Sequence, residues 1–344
     1  MKTRERNYDL LRVISAYMVI LGHVSGTFLE TFIWDFYDGL PGNHPLYTCL
    51  YTAVCRFSVP VFLMLSGAFV LANDKTADAG AFYRKAGKQI GLPALAAIVF
   101  AFAYSAITGL FIDHAGIMPA LTALLNGAPF YHLWYLPVML GIYLMAPWIC
   151  RFRMESGKTV FRNTSAALLA AGTLALWLNA PVVMHWNIGE AVCYAGYFMC
   201  GYVIRDSAKK NRSGIFLVLC GVLLEIGAGI LLYRLLLTGA DRTLAEHRCI
   251  LSYTPLTAAA SVLIFAGCAC TEIKTDTSKL AGAAYGIYLT HAFILDVIVR
   301  ISRAWMGQRW LTHMDARIAV PLLSLLLYFL SFFVTKGIQA VRRR

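Results

Sequence analysis

The chain is divided into long apolar runs, each about as long as a helix that crosses a lipid bilayer. About ten such runs, near 20 residues each, lie at 11–30, 48–72, 90–111, 132–150, 164–180, 188–205, 214–237, 250–270, 280–301 and 318–336. A backbone in lipid must satisfy its own hydrogen bonds, and a helix does so within one segment. The expected fold is all-α: a polytopic transmembrane helical bundle of about ten spans. Composition agrees, with 59% apolar and 14% charged residues, where a soluble domain carries about a quarter.

The net charge of +12 raises nucleic acid as a partner, but its placement argues against that. Most Lys and Arg fall between the runs, on one side: 2–12, 75–88, 151–162, 205–212, 274–279 and 336–344. The other side has Arg242, Arg248, Arg303, Arg309 and Arg317. Basic loops stay in the cytoplasm, so both termini are expected there, in a multi-pass protein of a bacterial cytoplasmic membrane.

The N-terminal apolar stretch is long enough to span and is followed by no small-residue cleavage site, so it reads as a span and not as a signal. The nine cysteines show no metal spacing, and no metal is expected. Cys49 and Cys249 both fall near the outer surface, where a disulfide is one reading and buried packing the plainer one. No internal repeat is visible, which counts against a carrier of duplicated halves. A single membrane domain, 1–344, is expected, with no soluble appendage. Its active site must come from the spans and short loops, including an outer lid at 31–47 with Trp34, Asp35, Asp38 and His44.

Ionisable groups within spans are costly and mark function. Arg12 and His23 lie eleven steps apart in the first run. Eleven steps of about 100° place them on one helix face, and the rise puts His23 roughly 16 Å further along. The alternative for His23 is a hydrogen-bonded core histidine, and for Arg12 an ordinary span-end arginine. A guanidinium also matches phosphate oxygens in a fork. Arg56 enters from the other side, roughly 12 Å below the outer edge, at the depth estimated for His23. Snorkelling to the interface is its alternative. Pro60 should kink this span, and Ser66-Gly67 should let another helix approach closely.

Tyr131-His132-Leu-Trp134-Tyr135-Leu136 opens the fourth run. It reads either as an aromatic belt or as a platform that receives a substrate from outside. Glu190 lies near the same surface. Glu225 sits mid-span in the seventh run without an obvious partner. Tyr285-Gly286-Ile-Tyr288-Leu-Thr-His291 adds a further intramembrane imidazole, with Tyr288 on the neighbouring face position. Asp296 and Arg300, four apart, are expected to neutralise each other.

Taken in order, these motifs resemble the membrane acyltransferase type 3 family. The likeness rests on Arg12 with His23, Arg56-Phe-Ser-Val-Pro-Val-Phe-Leu-Met-Leu-Ser-Gly67, His132-Leu-Trp134-Tyr-Leu136 and Tyr285–His291. It implies that Arg12 and His23 are a signature pair, that His23 is essential to transfer and that Arg56 is functional. Some members carry a second Arg where this chain has Val59, so the acceptor subclass is left open.

The expectation is an integral membrane O-acyltransferase that moves acetyl, or a similar group, from cytoplasmic acetyl-CoA to a hydroxyl of a cell-surface glycan or lipid-linked sugar. His23, Arg56 and Tyr135 are the expected catalytic residues, with Ser66 a further oxyanion donor. Arg12, Arg84, Lys85 and Lys88 are expected to hold the CoA phosphates. His132, Trp134, Glu190, Tyr288 and His291 are expected to line the acceptor site. Two alternatives stand beside this reading: a ten-span carrier or exporter of a glycan or lipid-linked precursor, and a non-catalytic subunit of an envelope synthesis complex. The sequence gives no oligomeric state.

Overall fold

A computed structural model describes residues 5–37, 44–178, 188–211, 213–307 and 314–341. In chain order the helices are α1 (Arg6–Tyr37), α2 (His44–Val54), α3 (Ser58–Val70), α4 (Ala79–Ala86), α5 (Leu92–Phe111), α6 (Met118–Leu125), α7 (Tyr135–Glu155) and α8 (Lys158–Leu178). They continue with α9 (Ile188–Ser207), α10 (Ser213–Leu237), α11 (Arg242–Cys249), α12 (Pro255–Cys270), α13 (Ser278–Ala281), α14 (Ala284–Met306) and α15 (Ala316–Val341). No strand occurs among the described residues. The central part of the expected outer lid, 38–43, lies outside them.

Among the described residues, seven helical segments are long and apolar enough to cross a membrane, where the sequence suggests about ten. The other three expected spans coincide with α8, α9 and α12. Lys158, Arg162 and Asn163 lower the hydropathy of α8, and Glu190, Arg205 and Asp206 that of α9. α12 is shortened at its start: Thr254 caps it by accepting from the Thr257 amide at 3.3 Å, and Pro255 follows as the first helical residue. Its 16 residues fall short of the usual span.

The chain divides into two compact units. The first comprises 1–65, 173–181 and 204–344, and the second comprises 66–172 and 182–203. In the first unit, α1 packs with α2, α14 and α15, and α10 packs along α12 and α2. One apolar core joins α1, α14 and α15 through Ile20, Val24, Ile287 and Val320. A second joins α2, α10 and α11 through Cys49, Ala53, Leu232 and Cys249. Both of these cysteines are buried free thiols, which is the plainer of the two sequence readings.

The end of α12 is tied down by polar groups. Lys210 Nζ donates to the carbonyls of Ala269 at 2.7 Å and Thr271 at 3.1 Å, and Asn7 donates to that of Cys268 at 2.9 Å. These groups satisfy carbonyls that a helix C-terminus leaves without partners. Trp177 and Arg248 form a reciprocal clip. The indole donates to the Arg248 carbonyl at 3.1 Å, and the guanidinium donates to the Trp177 carbonyl at 2.9 Å.

In the second unit, Gly67 supplies the close approach expected of it. A Cβ there would lie 1.6 Å from the Phe198 carbonyl oxygen, so only glycine fits. α8 and α9 also approach closely at Gly172 and Gly196, where an added Cβ would lie 2.5 Å from the Cys193 and Leu169 amide nitrogens. Arg153 donates to the Asp74 carboxylate and to the Tyr202 hydroxyl at 3.2 Å, with its guanidinium 5.1 Å from the Tyr202 ring centre.

Candidate functional site

The expected second span is two helices, not one. α2 ends at Val54, α3 begins at Ser58, and Arg56 sits in the turn between them. Pro60 explains the position. Its ring cannot accept helical backbone four residues earlier, so the helix stops before it and restarts with proline in the first turn. The turn is tight. The Arg56 amide bonds the Ala53 carbonyl at 2.9 Å, the Ser58 amide bonds the Cys55 carbonyl at 3.1 Å, and the Ser58 hydroxyl reaches that same carbonyl at 2.6 Å.

α1 runs antiparallel to this turn and is locked to it beside His23. The Thr52 hydroxyl donates to Ser25 Oγ at 3.0 Å, and a Cβ on Gly22 would meet Cys55 Sγ at 2.6 Å. These contacts place His23 level with residues 54–56, and Arg56 acts on it electrostatically. The two groups that sequence depth brought to one level are therefore neighbours.

His291 completes the group. Its ring centre is 5.2 Å from that of His23, with planes inclined by 34°. The His291 side chain is fully buried, while His23 keeps part of its surface accessible. His291 Nδ1 faces two carbonyls, Tyr288 at 2.8 Å and Ile287 at 3.1 Å. Carbonyls only accept, so Nδ1 carries the hydrogen, and the neutral ring presents its lone pair on Nε2. Tyr288 lies against the His291 ring, 6.2 Å between centres. Gly286 lets α14 meet α15, since a Cβ there would lie 2.2 Å from the Thr335 methyl.

Arg12 pairs with Asp9 at 3.0 Å, one turn earlier on α1. Asp9 is buried and Arg12 half-buried. Asp296 and Arg300 close their expected pair at 2.6 Å.

The remaining site residues belong to the second unit. His132 is buried in an aromatic turn, its ring 5.6 Å from Phe130 and 5.8 Å from Tyr131. Trp134 packs on Tyr135 at 6.2 Å and on Tyr194 at 6.4 Å. Glu190 is half-buried in the first turn of α9. Arg84 and Lys85 are exposed on the last turn of α4, and Lys88 is exposed in a short π-helical turn, Gly87–Gly91, that leads into α5. Ser66 starts this unit, on α3.

Sequence reasoning left two residues of the first unit without a role. Asp9 was legible as an acid three residues before Arg12. Glu225 is fully buried on α10, and its surroundings come from distant segments. Among the described residues no cluster of His, Cys, Asp and Glu could hold a metal ion.

A family model described as an acyltransferase domain matches residues 5–336, nearly the whole chain. The chain belongs to the acyltransferase 3 family. An amino-acid racemase of Enterococcus faecalis is 29% identical to it over 140 residues, which is 40% of this chain and 18% of that relative. The match thus spans under a fifth of the curated relative. No solved structure matches. The family and the apolar helices point to a multi-pass membrane protein.

Proposed function

We propose that the protein transfers an acetyl or similar small acyl group from cytoplasmic acetyl-CoA to a hydroxyl of a cell-surface glycan or lipid-linked sugar, in a bacterial cytoplasmic membrane. The observation that carries this reading is the His23–His291 ring pair beside Arg56, within an acyltransferase family chain.

His23 Nε2 or Nδ1 takes the proton from the acceptor hydroxyl, and the oxygen attacks the thioester carbonyl carbon. Negative charge then develops on the carbonyl oxygen, where the Arg56 guanidinium stabilises it. The carbon–sulfur bond breaks, the CoA thiolate leaves, and the imidazolium returns its proton to sulfur. The tautomer held by the Tyr288 and Ile287 carbonyls gives His291 a fixed acceptor nitrogen beside the reacting imidazole. Within the first unit, Arg12 would meet the CoA phosphates and Tyr288 the acceptor.

The test is mass spectrometry of envelope glycans from cells that express the wild type or His23→Ala. The wild type adds acetyl mass and the variant does not, at equal membrane abundance. A fully active His23→Ala protein would overturn the mechanism. A carrier of glycans is separated by thermal unfolding in detergent with CoA. Ligand at a hundred times its Kd stabilises an acyltransferase by about 2.7 kcal/mol, and a carrier gains nothing.

A further inference from the structure

Glu225 lies in the middle of an apolar helix and is fully buried, and among the described residues neither carboxyl oxygen closes a hydrogen bond. Burying such a group has a cost that only a nearby charge or donor offsets. The packing on both sides of α10 identifies the groups involved.

On one side, Gly229 brings α10 against α2. A Cβ at Gly229 would lie 3.0 Å from Leu50 Cα, 3.1 Å from Ala53 Cβ and 3.2 Å from the Cys49 carbonyl oxygen. The two helices run in opposite directions here. One turn back on α10, at Glu225, corresponds to one turn forward on α2, which is the broken segment that carries Arg56. On the other side, Gly221 brings α10 against α12, with Ile264 Cγ1 at 2.6 Å and the Ala260 carbonyl oxygen at 2.8 Å from its absent Cβ. These helices are also antiparallel. One turn forward on α10, again at Glu225, is matched on α12 by the turn that holds Thr257, whose side chain is fully buried. Both registers therefore place Glu225 between Arg56 and Thr257.

The polar atoms agree with that placement. Among the described residues, Arg56 Nε and Thr257 Oγ1 are buried without a hydrogen bond, as are the Glu225 oxygens. Burial works most strongly against a charge on the carboxyl, Arg56 and then Thr257 work in its favour, and among the described residues no ion pair closes between Arg56 and Glu225. Charges in an apolar setting attract well beyond hydrogen-bond length, because the attraction falls only as the inverse of distance and little screens it.

We infer that Glu225 is a positioning residue for Arg56: from α10 it supplies the counter-charge that keeps the guanidinium at the level of His23, and Thr257 faces the carboxyl from α12. The inference rests on the proposed transfer reaction and adds a residue that never meets the substrate. Glu225 also distinguishes the role of Arg56 from snorkelling, since its counter-charge holds the arginine within the unit.

The test uses the full-length protein in native membranes and radiolabelled acetyl-CoA, with label counted in envelope polymer. Glu225→Gln is expected to slow transfer at saturating acetyl-CoA about tenfold, as loss of an electrostatic support does. The acetyl-CoA concentration for half-maximal rate should stay within about twofold, because the carboxyl has no part in uniform binding. Glu225→Asp should restore most of the rate, and Arg56→Gln/Glu225→Gln should be no slower than Arg56→Gln alone. A Glu225→Gln protein at wild-type rate, or a double variant slower by the product of the two single effects, overturns the inference. Membranes in which even the wild type transfers no label would refute the proposed function instead. Thermal unfolding of the purified wild type, Glu225→Gln, Arg56→Gln and the double variant then decides the inference. Single variants that each lose more Tm than the double support the pairing, and additive losses overturn it.

Discussion

His23 and His291 are ring neighbours, their centres 5.2 Å apart, although one comes from α1 and the other from α14. The tautomer of His291 is set by its own helix, through the carbonyls one turn back. The pair thus couples the His23 ring to one whose hydrogen is already committed.

That coupling predicts the outcome of His291→Phe, which keeps an aromatic ring in the same space and removes Nε2. Transfer should fall by about a hundredfold, the usual contribution of a positioned acid–base group. Thermal unfolding in detergent should show a native-like transition. A Phe variant with wild-type rates would reduce His291 to a packing residue.

Arg12 and Asp9 form a pair on α1, and the reading of Arg12 as a phosphate fork gives it a distinct kinetic signature. Arg12→Gln should raise the half-saturating acetyl-CoA concentration about tenfold, roughly one charge-assisted hydrogen bond. The saturated rate should change little. An unchanged donor dependence would return Arg12 to the role of an ordinary span-end residue.

Two glycines on α10 make a controlled comparison. Gly221→Ala drives a methyl into Ile264 and the Ala260 carbonyl, while at Gly227 nothing lies within 4 Å of an added Cβ. Overpacking against backbone costs about 1–3 kcal/mol, and Gly→Ala in an open helical position gains about 0.5–1 kcal/mol. Thermal unfolding should therefore separate the variants in opposite directions. Equal Tm values would contradict the α10–α12 contact.

Arg153 in the second unit engages Asp74, Tyr202 and the face of the Tyr202 ring together. Lysine retains the charge and loses the planar fork. Arg153→Lys should lower stability by about 1–2 kcal/mol, read as a Tm loss, with Arg153→Ala lower still. No loss on either change would leave this cluster a surface feature.

Much of the fold was legible because one-dimensional signals govern it. Apolar run length gave the helices, and Ser66-Gly67 gave the contact at Phe198. Pro60 gave a disturbance in the second span, although the sequence suggested a kink and the structure has two separate helices. The common level of His23 and Arg56 followed from counting residues inward from opposite ends. The closeness of His23 to His291 did not follow, because it depends on which helices pack together, and that order is set by the whole bundle. Glu225 had no visible partner for the same reason: Arg56 and Thr257 reach it only through two antiparallel packings. Three of the expected spans do not show as long apolar helices among the described residues, because polar residues in α8 and α9 and the Thr254 cap of α12 dilute or shorten the apolar run.

The turn at Arg56 also sets the orientation of everything that follows it. Bonds from the amides of Arg56 and Ser58 to carbonyls three residues back overwind the chain, and an overwound residue advances by about 120° where a helical one advances by about 100°. Over three residues the stripe that α2 buries is rotated by roughly 60° before α3 begins. A single crossing of the chain can thereby press one side against α10 along its first half and turn a different side inward along its second, with a cation at the swivel.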